Sequence, residues 1–397
     1  MRPALITFAL VLVLAGCSDD SLIDDGFAAS DYLFVWATDS DSVDLNFLAV
    51  LDADPVSDTY AEVLTTVPVP TEGRTRGHHT EHRLHESGRL FANDFGTGKT
   101  YVFDLTDPLV PTVLDSFTVA GPLASPHSFE RLSSGNVLTT FQNNGPDNTA
   151  PGGIAELDPR GVTVRWSSAG EPGNSVRPYS LAVSHQLDRV VTGSADMLGG
   201  VDSRAIQIWR LSDLTLLETL EFPEEWGPAA EPRVLADGVT VLVSTFGCKL
   251  LHVVGLETND PSLELVYDFG GASCALPVVT GDFWIQAVPD ANGLVALDVS
   301  AVSSPVEVAR VELAEDDWPH WISLSPDESR IVVTGYAGTR YRVILINLDA
   351  HTGKMQVDVA FATAGEDRPG VSFDRPSWAH GSTGPADPHG AVFSLVR

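Results

Sequence analysis

The sequence predicts an all-β protein, a seven-bladed β-propeller, and three observations carry that prediction. Strand-length apolar runs cover the whole chain, among them DYLFVWATD, KTYVFDL, AIQIWRL, VTVLVSTF, GLVALDV and RVILINLD, with no long stretch of helical period. One layout recurs: an opening residue after proline, a short alternating run, a Ser/Gly or Asp turn, then a second apolar strand. It opens at Pro126-His127-Ser128, at Pro178-Tyr179-Ser180 and at Pro319-His320-Trp321. Units spaced by about fifty residues, or multiples of that, suit a propeller repeat. Many units also close on a strand ending in Asp or Leu-Asp, as in VFDL, AELD, ALDV and INLD.

Taken in order, residues 1–17 read MRPALITFALVLVLAGC. Arg2 supplies a positive start, and Ala4 to Val13 an apolar stretch too short to span a bilayer. Leu14-Ala15-Gly16-Cys17 has the form of a bacterial lipobox, in which small residues admit the peptidase and the cysteine thiol takes the lipid. Residues 1–16 are therefore expected to be a lipoprotein signal peptide, with Cys17 as the lipidation site. Ser18 in place of Asp removes the inner-membrane retention signal. The expected location is the bacterial envelope, lipid-anchored to the outer membrane on its periplasmic or surface side. Residues 17–30 are acidic and small, as a tether is. Residues 31–397 form the propeller, with no Pro/Ser-rich linker to divide them.

The units from Leu33–Asp52 through His320–Asp349 count to about seven. The last strand, Ala391–Val396, is expected to pair with the first ones and close the ring, which removes an open sheet edge. The formal charge is −31, from 54 acidic and 23 basic residues. A phosphate backbone requires a basic face, so nucleic acid is excluded as a partner class. The same charge disfavours anionic lipid, which leaves a lipid on Cys17 as the membrane contact. After Cys17 there remain Cys248 and Cys274. They either pair in an oxidising compartment or stay buried as thiols.

The chemistry-bearing stretch is Gly77-His78-His79-Thr80-Glu81-His82-Arg83-Leu84-His85, with four of the eleven histidines. A propeller starts the innermost strand of each blade beside a central channel, so histidines opening different units converge on one axis. Converging imidazoles suit copper, zinc or iron. Calcium is disfavoured, since it takes oxygen ligands. Neighbours on a regular strand face opposite ways, so His78 and His79 can both ligate only from an irregular segment. The alternative is that they cap a turn while His82 and His85 are solvated. His320 shares the repeat position of His127 and Tyr179, and is expected to face the channel as a ligand or as a donor orienting one. Glu81 falls on the face of His79, either to accept a hydrogen bond and move protons or to pair with an arginine. Trp318, Trp321 and Trp378 flank the histidines and are core residues or walls of an apolar pocket. His185, His252, His351 and His389 read as loop or outer-strand residues.

The run Leu48-Ala49-Val50-Leu51-Asp52-Ala53-Asp54-Pro55, continuing to Pro68-Val69-Pro70, resembles the first blade of the selenium-binding protein/methanethiol oxidase family. His78-His79, Pro126-His127-Ser128 before Ser134-Gly135, and Ala379-His380 before Pro385 follow in that family's order. Thr80-Glu81-His82 departs from its Ser-Gly-Trp. FANDFGTGK stands where animal members carry a cysteine-rich segment, so selenium binding there is not expected. The resemblance implies a seven-bladed propeller and an exported copper enzyme converting methanethiol, oxygen and water to formaldehyde, hydrogen sulfide and hydrogen peroxide. It implies copper ligation by His78, His79, His127 and His380; Glu81 and His320 are further candidate site residues from their strand face and repeat position alone. Two other functions remain open. The run PHSFERLSSGNVLTT before GIAELDPRGVTVRW also looks like an arylsulfotransferase blade, and a propeller can be a non-catalytic binding scaffold.

Overall fold

Seven antiparallel sheets of four or five strands, set in a ring, make up the computed structural model. It describes residues 31–395 apart from 42, 71–74, 146–148, 172–173, 198, 200–202 and 336–340. The expected signal peptide, Cys17 and the tether lie outside the described residues. The fold is the seven-bladed β-propeller that the repeat predicts. The inner strands of blades 2 to 7 are Gly77–Thr80, Leu123–Arg131, Pro178–Ser184, Ala229–Val234, Pro277–Thr280 and Pro319–Leu324. Blade 1 is assembled from both ends of the chain. Its inner strand is Gly384–Phe393, paired antiparallel with Tyr32–Asp39 through Leu33 opposite Phe393 and Ala37 opposite Pro388. The ring closes as expected, but the closing strand begins at Gly384 rather than Ala391.

The recurring Asp has a local cause. Asp104 accepts from the backbone N–H of Thr106 at 3.1 Å, Asp298 from Ser300 at 2.9 Å and Asp349 from His351 at 2.9 Å. In each case the carboxylate replaces a ladder partner and turns the chain two residues on. Burial follows the layering of a blade. Phe47–Asp52, a middle strand, is buried throughout, whereas the outer strand Thr112–Phe117 is only half-buried. Trp36, Trp209, Trp284 and Trp321 are fully buried. Trp36 joins blades 1 and 2, with Tyr101 and Phe103 at 5.8 and 5.7 Å between ring centres. Each buried aromatic of this kind contributes about 2–3 kcal/mol of transfer free energy.

Cys248 and Cys274 are joined in a disulfide, with 4.9 Å between their Cα atoms. The bridge ties the second turn of blade 5 to the segment entering blade 6, and decides between the two states that the sequence left open.

Candidate metal centre

Six of the seven inner strands slip register where they enter their blade; that of blade 6 does not. In blade 2, Gly77 lies opposite Asp94 and Thr80 opposite Ala92, so His78 and His79 together face Asn93 alone. In blade 3, His127 and Ser128 face Thr140. His320 is the extra residue of blade 7, and His389 with Gly390 faces Trp36 in blade 1. Each slip is a β-bulge, which re-aims a side chain that regular pleating would send elsewhere. Here the bulges turn histidines toward a common centre. The two histidine rings of blade 2 stack at 4.1 Å and 16°, an arrangement closed to neighbours on a regular strand.

The centre comprises His78, His79, His127, His320 and His389. Ring centres lie 4.5 Å apart for His79 and His127, 4.2 Å for His78 and His389, and 4.9 Å for His320 and His389. One ring nitrogen from each of His78, His79, His320 and His389 falls within 4.8 Å of the others. Nitrogens sharing one ion at about 2.0 Å are at most about 4 Å apart, so small ring rotations complete such a set. His127 packs against His78 at 5.0 Å.

The supports are specific. His127 Nδ1 donates to the carbonyl of Tyr179 at 2.8 Å, which leaves Nε2 as the bare nitrogen. His79 Nδ1 meets Ser128 Oγ at 3.1 Å. Nε2 of both rings is buried and has no hydrogen-bond partner. Orphan buried acceptors cost about 1–3 kcal/mol each unless something fills them. Asn93 braces two bulges at once. Its oxygen accepts from His79 N–H at 2.7 Å, and its amide donates to the carbonyls of Pro126 and His127 at 2.9 and 3.2 Å. Gly390 is glycine because a Cβ there would lie 2.6 Å from the backbone nitrogen of Thr80.

Burial, reinforced by neighbouring imidazoles, holds His78, His79 and His389 well below the usual histidine range. Burial likewise lowers His127 to about 3 and His320 to about 4. At neutral pH the centre is therefore uncharged and rich in nitrogen lone pairs. Such a donor set fits a borderline-soft transition metal and does not fit calcium.

His380 is a correction to the predicted set. Its Nδ1 meets Thr66 Oγ1 at 2.7 Å and its ring packs on Phe47 at 4.7 Å, within blade 1 and apart from the other histidines. His389 stands in the centre instead, whereas the sequence reading gave it no role. The signal was present, since Pro388-His389 repeats the dipeptides Pro126-His127 and Pro319-His320. Glu81 is also placed differently from a proton carrier beside His79. Its carboxylate is buried and takes Arg131 Nε at 2.8 Å, Arg131 Nη2 at 2.6 Å and Phe91 N–H at 3.0 Å. The pairing with an arginine, the other reading, is the one seen. Of the flanking tryptophans, Trp321 reaches the site, 5.0 Å from His79 and stacked on His82 at 4.5 Å. Trp378 packs on Phe47 and Phe373, and Trp318 is 40% exposed. His85 sits in a turn with Ser87.

Comparison with known proteins agrees with this architecture. No family model matches the chain. Over 122 residues it is 32% identical to the methanethiol oxidase of Hyphomicrobium sp, covering 28% of this chain and 26% of that protein. Over 249 residues it is 24% identical to the methanethiol oxidase of Danio rerio, covering 53% and 51%. The chain thus matches between about a quarter and about half the length of these relatives. Among solved structures, a hypothetical selenium-binding protein from Sulfolobus tokodaii superposes with a TM-score of 0.70 at 16% identity, over 92% of this chain and 94% of that one. A periplasmic gluconolactonase from Pseudomonas aeruginosa does so at 0.62 and 14%, over 92% and 99%. These two likenesses concern the fold alone. By sequence, the chain is similar to the methanethiol oxidases of the selenium-binding protein family.

Proposed function

We propose that the protein is an exported, lipid-anchored, copper-dependent oxidase of methanethiol or a related small thiol. The observation that carries this reading is the set of neutral, buried imidazoles aimed at one point by separate bulges. Unpartnered, buried Nε2 atoms on His79 and His127 fit a metal that accepts imidazole. His78, His79, His127, His320 and His389 would hold copper, which when bound would supply a soft site for sulfur and electron transfer to oxygen. The thiol and oxygen come from the similarity to methanethiol oxidases. The balanced reaction takes methanethiol, oxygen and water to formaldehyde, hydrogen sulfide and hydrogen peroxide. The chain's own residues orient the ligands through Tyr179, Ser128 and Asn93, and burial keeps water away from the ring nitrogens. Export is supported by the lipobox at Cys17 and by the disulfide, which persists in oxidising compartments.

The test is metal content, with hydrogen peroxide release on methanethiol, of protein purified from the periplasm. Copper near one per chain and thiol-dependent peroxide are expected. Protein that stays copper-free after loading would refute the reading.

A further inference from the structure

Beyond the histidines the inner strands line a half-open chamber of about 350 Å³. Glu81, two residues past His79 and just beyond the end of that strand, lines it. Its wall has two characters. Blades 4, 6 and 7 contribute Leu181, Val183, Val278 and Leu324, whereas blades 2, 3 and 5 contribute charged groups.

Those charges are almost all committed. Arg131 grips Glu81, and Arg83 pairs with Glu328 at 2.9 Å. Arg233 bridges Glu231 at 2.8 Å and His82 Nε2 at 3.0 Å. An arginine only donates, so His82 carries its proton on Nδ1, which is buried without an acceptor. Glu130 differs. Partly exposed, it borders the chamber, and its carboxylate makes no hydrogen bond or ion pair among the described residues. The groups facing it are Glu81, His82 and Arg83 from blade 2 and Arg233 from blade 5, with Arg131 beside it on its own strand. Blade 4 offers only Leu181, Ala182 and Val183.

We propose that this chamber binds a small aliphatic thiol, its carbon on the Leu181–Leu324 wall and its S–H directed at Glu130. The inference rests on the thiol reading above for the class of ligand; the site itself rests on the chamber. An anionic ligand would face Glu130 with the guanidinium groups already engaged. An ammonium ligand would face three of them. A neutral molecule with one donor and an apolar body satisfies both halves of the wall. Proton transfer then breaks S–H and forms O–H on Glu130, giving a thiolate and a neutral carboxyl with no change of oxidation state. Burial first, and Glu81 next, push Glu130 up to about 7, against the opposing pull of Arg233 and Arg83. That narrows the gap to an alkyl thiol, a weaker acid than the cysteine side chain at about 8.5.

The experiment uses metal-free full-length protein and ethanethiol as probe, followed by calorimetry, with disulfide content checked by mass. Saturable binding is expected, weakened at least tenfold in Glu130→Gln and in Val279→Trp, which fills the chamber. Ethanol, a poor proton donor, should bind at least tenfold more weakly. Both variants should load copper as the wild type does. Equal binding in wild type and both variants, no saturable binding, or a preference for ethylamine would each overturn the proposal. Thiol binding in protein that never takes up copper would sink the oxidase reading and leave the chamber standing. Copper uptake with peroxide release and no chamber binding would sink this inference alone.

Discussion

His127 and the carbonyl of Tyr179 are 2.8 Å apart, and that one contact fixes which nitrogen of the histidine is offered to the centre. The donor comes from blade 3 and the acceptor from blade 4, so the tautomer is set by the packing of neighbouring blades. His127→Ala should remove most bound copper while leaving the melting temperature within a few degrees, because the blade cores do not include this ring. Mass spectrometry of loaded protein and a thermal melt check both halves. Full copper in the variant would remove His127 from the site.

Asn93 acts through the backbone. With Asn93→Ala, the bulges carrying His79 and His127 lose three side-chain hydrogen bonds inside the protein. Removal of groups that orient metal ligands typically costs about 10–100-fold in metal affinity. A competitive chelator titration should show a loss of that size, together with a lower melting temperature. A variant that melts lower yet binds copper as tightly would mean that the bulges hold without this brace.

The metal-free protein should lose stability on acidification. The centre's histidines are held below the unfolded value near 6.5, so the unfolded chain takes up protons first as pH falls. Their contribution is complete above about 6.5 and declines toward the folded values of about 4 for His320 and about 3 for His127. Glu130, raised to about 7, has the opposite sign, since its penalty grows as pH rises from the unfolded carboxylate range through 7. Asp39, Glu81 and Glu231 are raised as well and share its sign. Four carboxyls thus oppose the centre's five histidines and the likewise lowered His82, and denaturant midpoints should fall below pH 6.5. A flat profile from 7 to 5 would contradict neutral, buried imidazoles.

The disulfide closes a loop between positions 26 apart, and neither sulfur belongs to the histidine cluster. Loop-closure entropy puts the cost of opening it at about 3 kcal/mol. Cys248→Ser should lower the unfolding free energy obtained from urea titration by about that amount, seen as a lower midpoint, and leave metal content alone. An unchanged midpoint would show that the bridge adds nothing to the packing of blades 5 and 6.

The repeat was legible because it lies in local composition: short apolar runs, Asp-terminated strands and proline before the inner strand. His78, His79, His127 and His320 followed from that pattern once the propeller was accepted. What pairs with what was less visible. Glu81 meets Arg131 from fifty positions away, and no local signal marks that partner. The bulges arise from pairing across strands, so sequence gave only the condition under which both histidines of blade 2 turn inward. The exchange of His380 for His389 came from drawing the final strand too short, which left Pro388-His389 in a loop.

That exchange supplies the sharpest test of the centre. His389 lies 4.2 Å from His78 and 4.9 Å from His320 between ring centres, on the strand that closes the ring. His380 is half-buried against Phe47 and Thr66 and lies outside the set of ring nitrogens within 4.8 Å of one another. His389→Ala should therefore reduce bound copper severalfold or more, and His380→Ala should leave it unchanged. The strand carrying His389 also holds blade 1 together, so folding needs its own control. His389→Gln keeps the strand and much of the side-chain volume while removing the imidazole. If His389→Gln melts like the wild type but binds little copper, ligation rather than closure is the role of this residue. Copper lost in the His380 variant and kept in both His389 variants would return the centre to the set that the sequence resemblance implied.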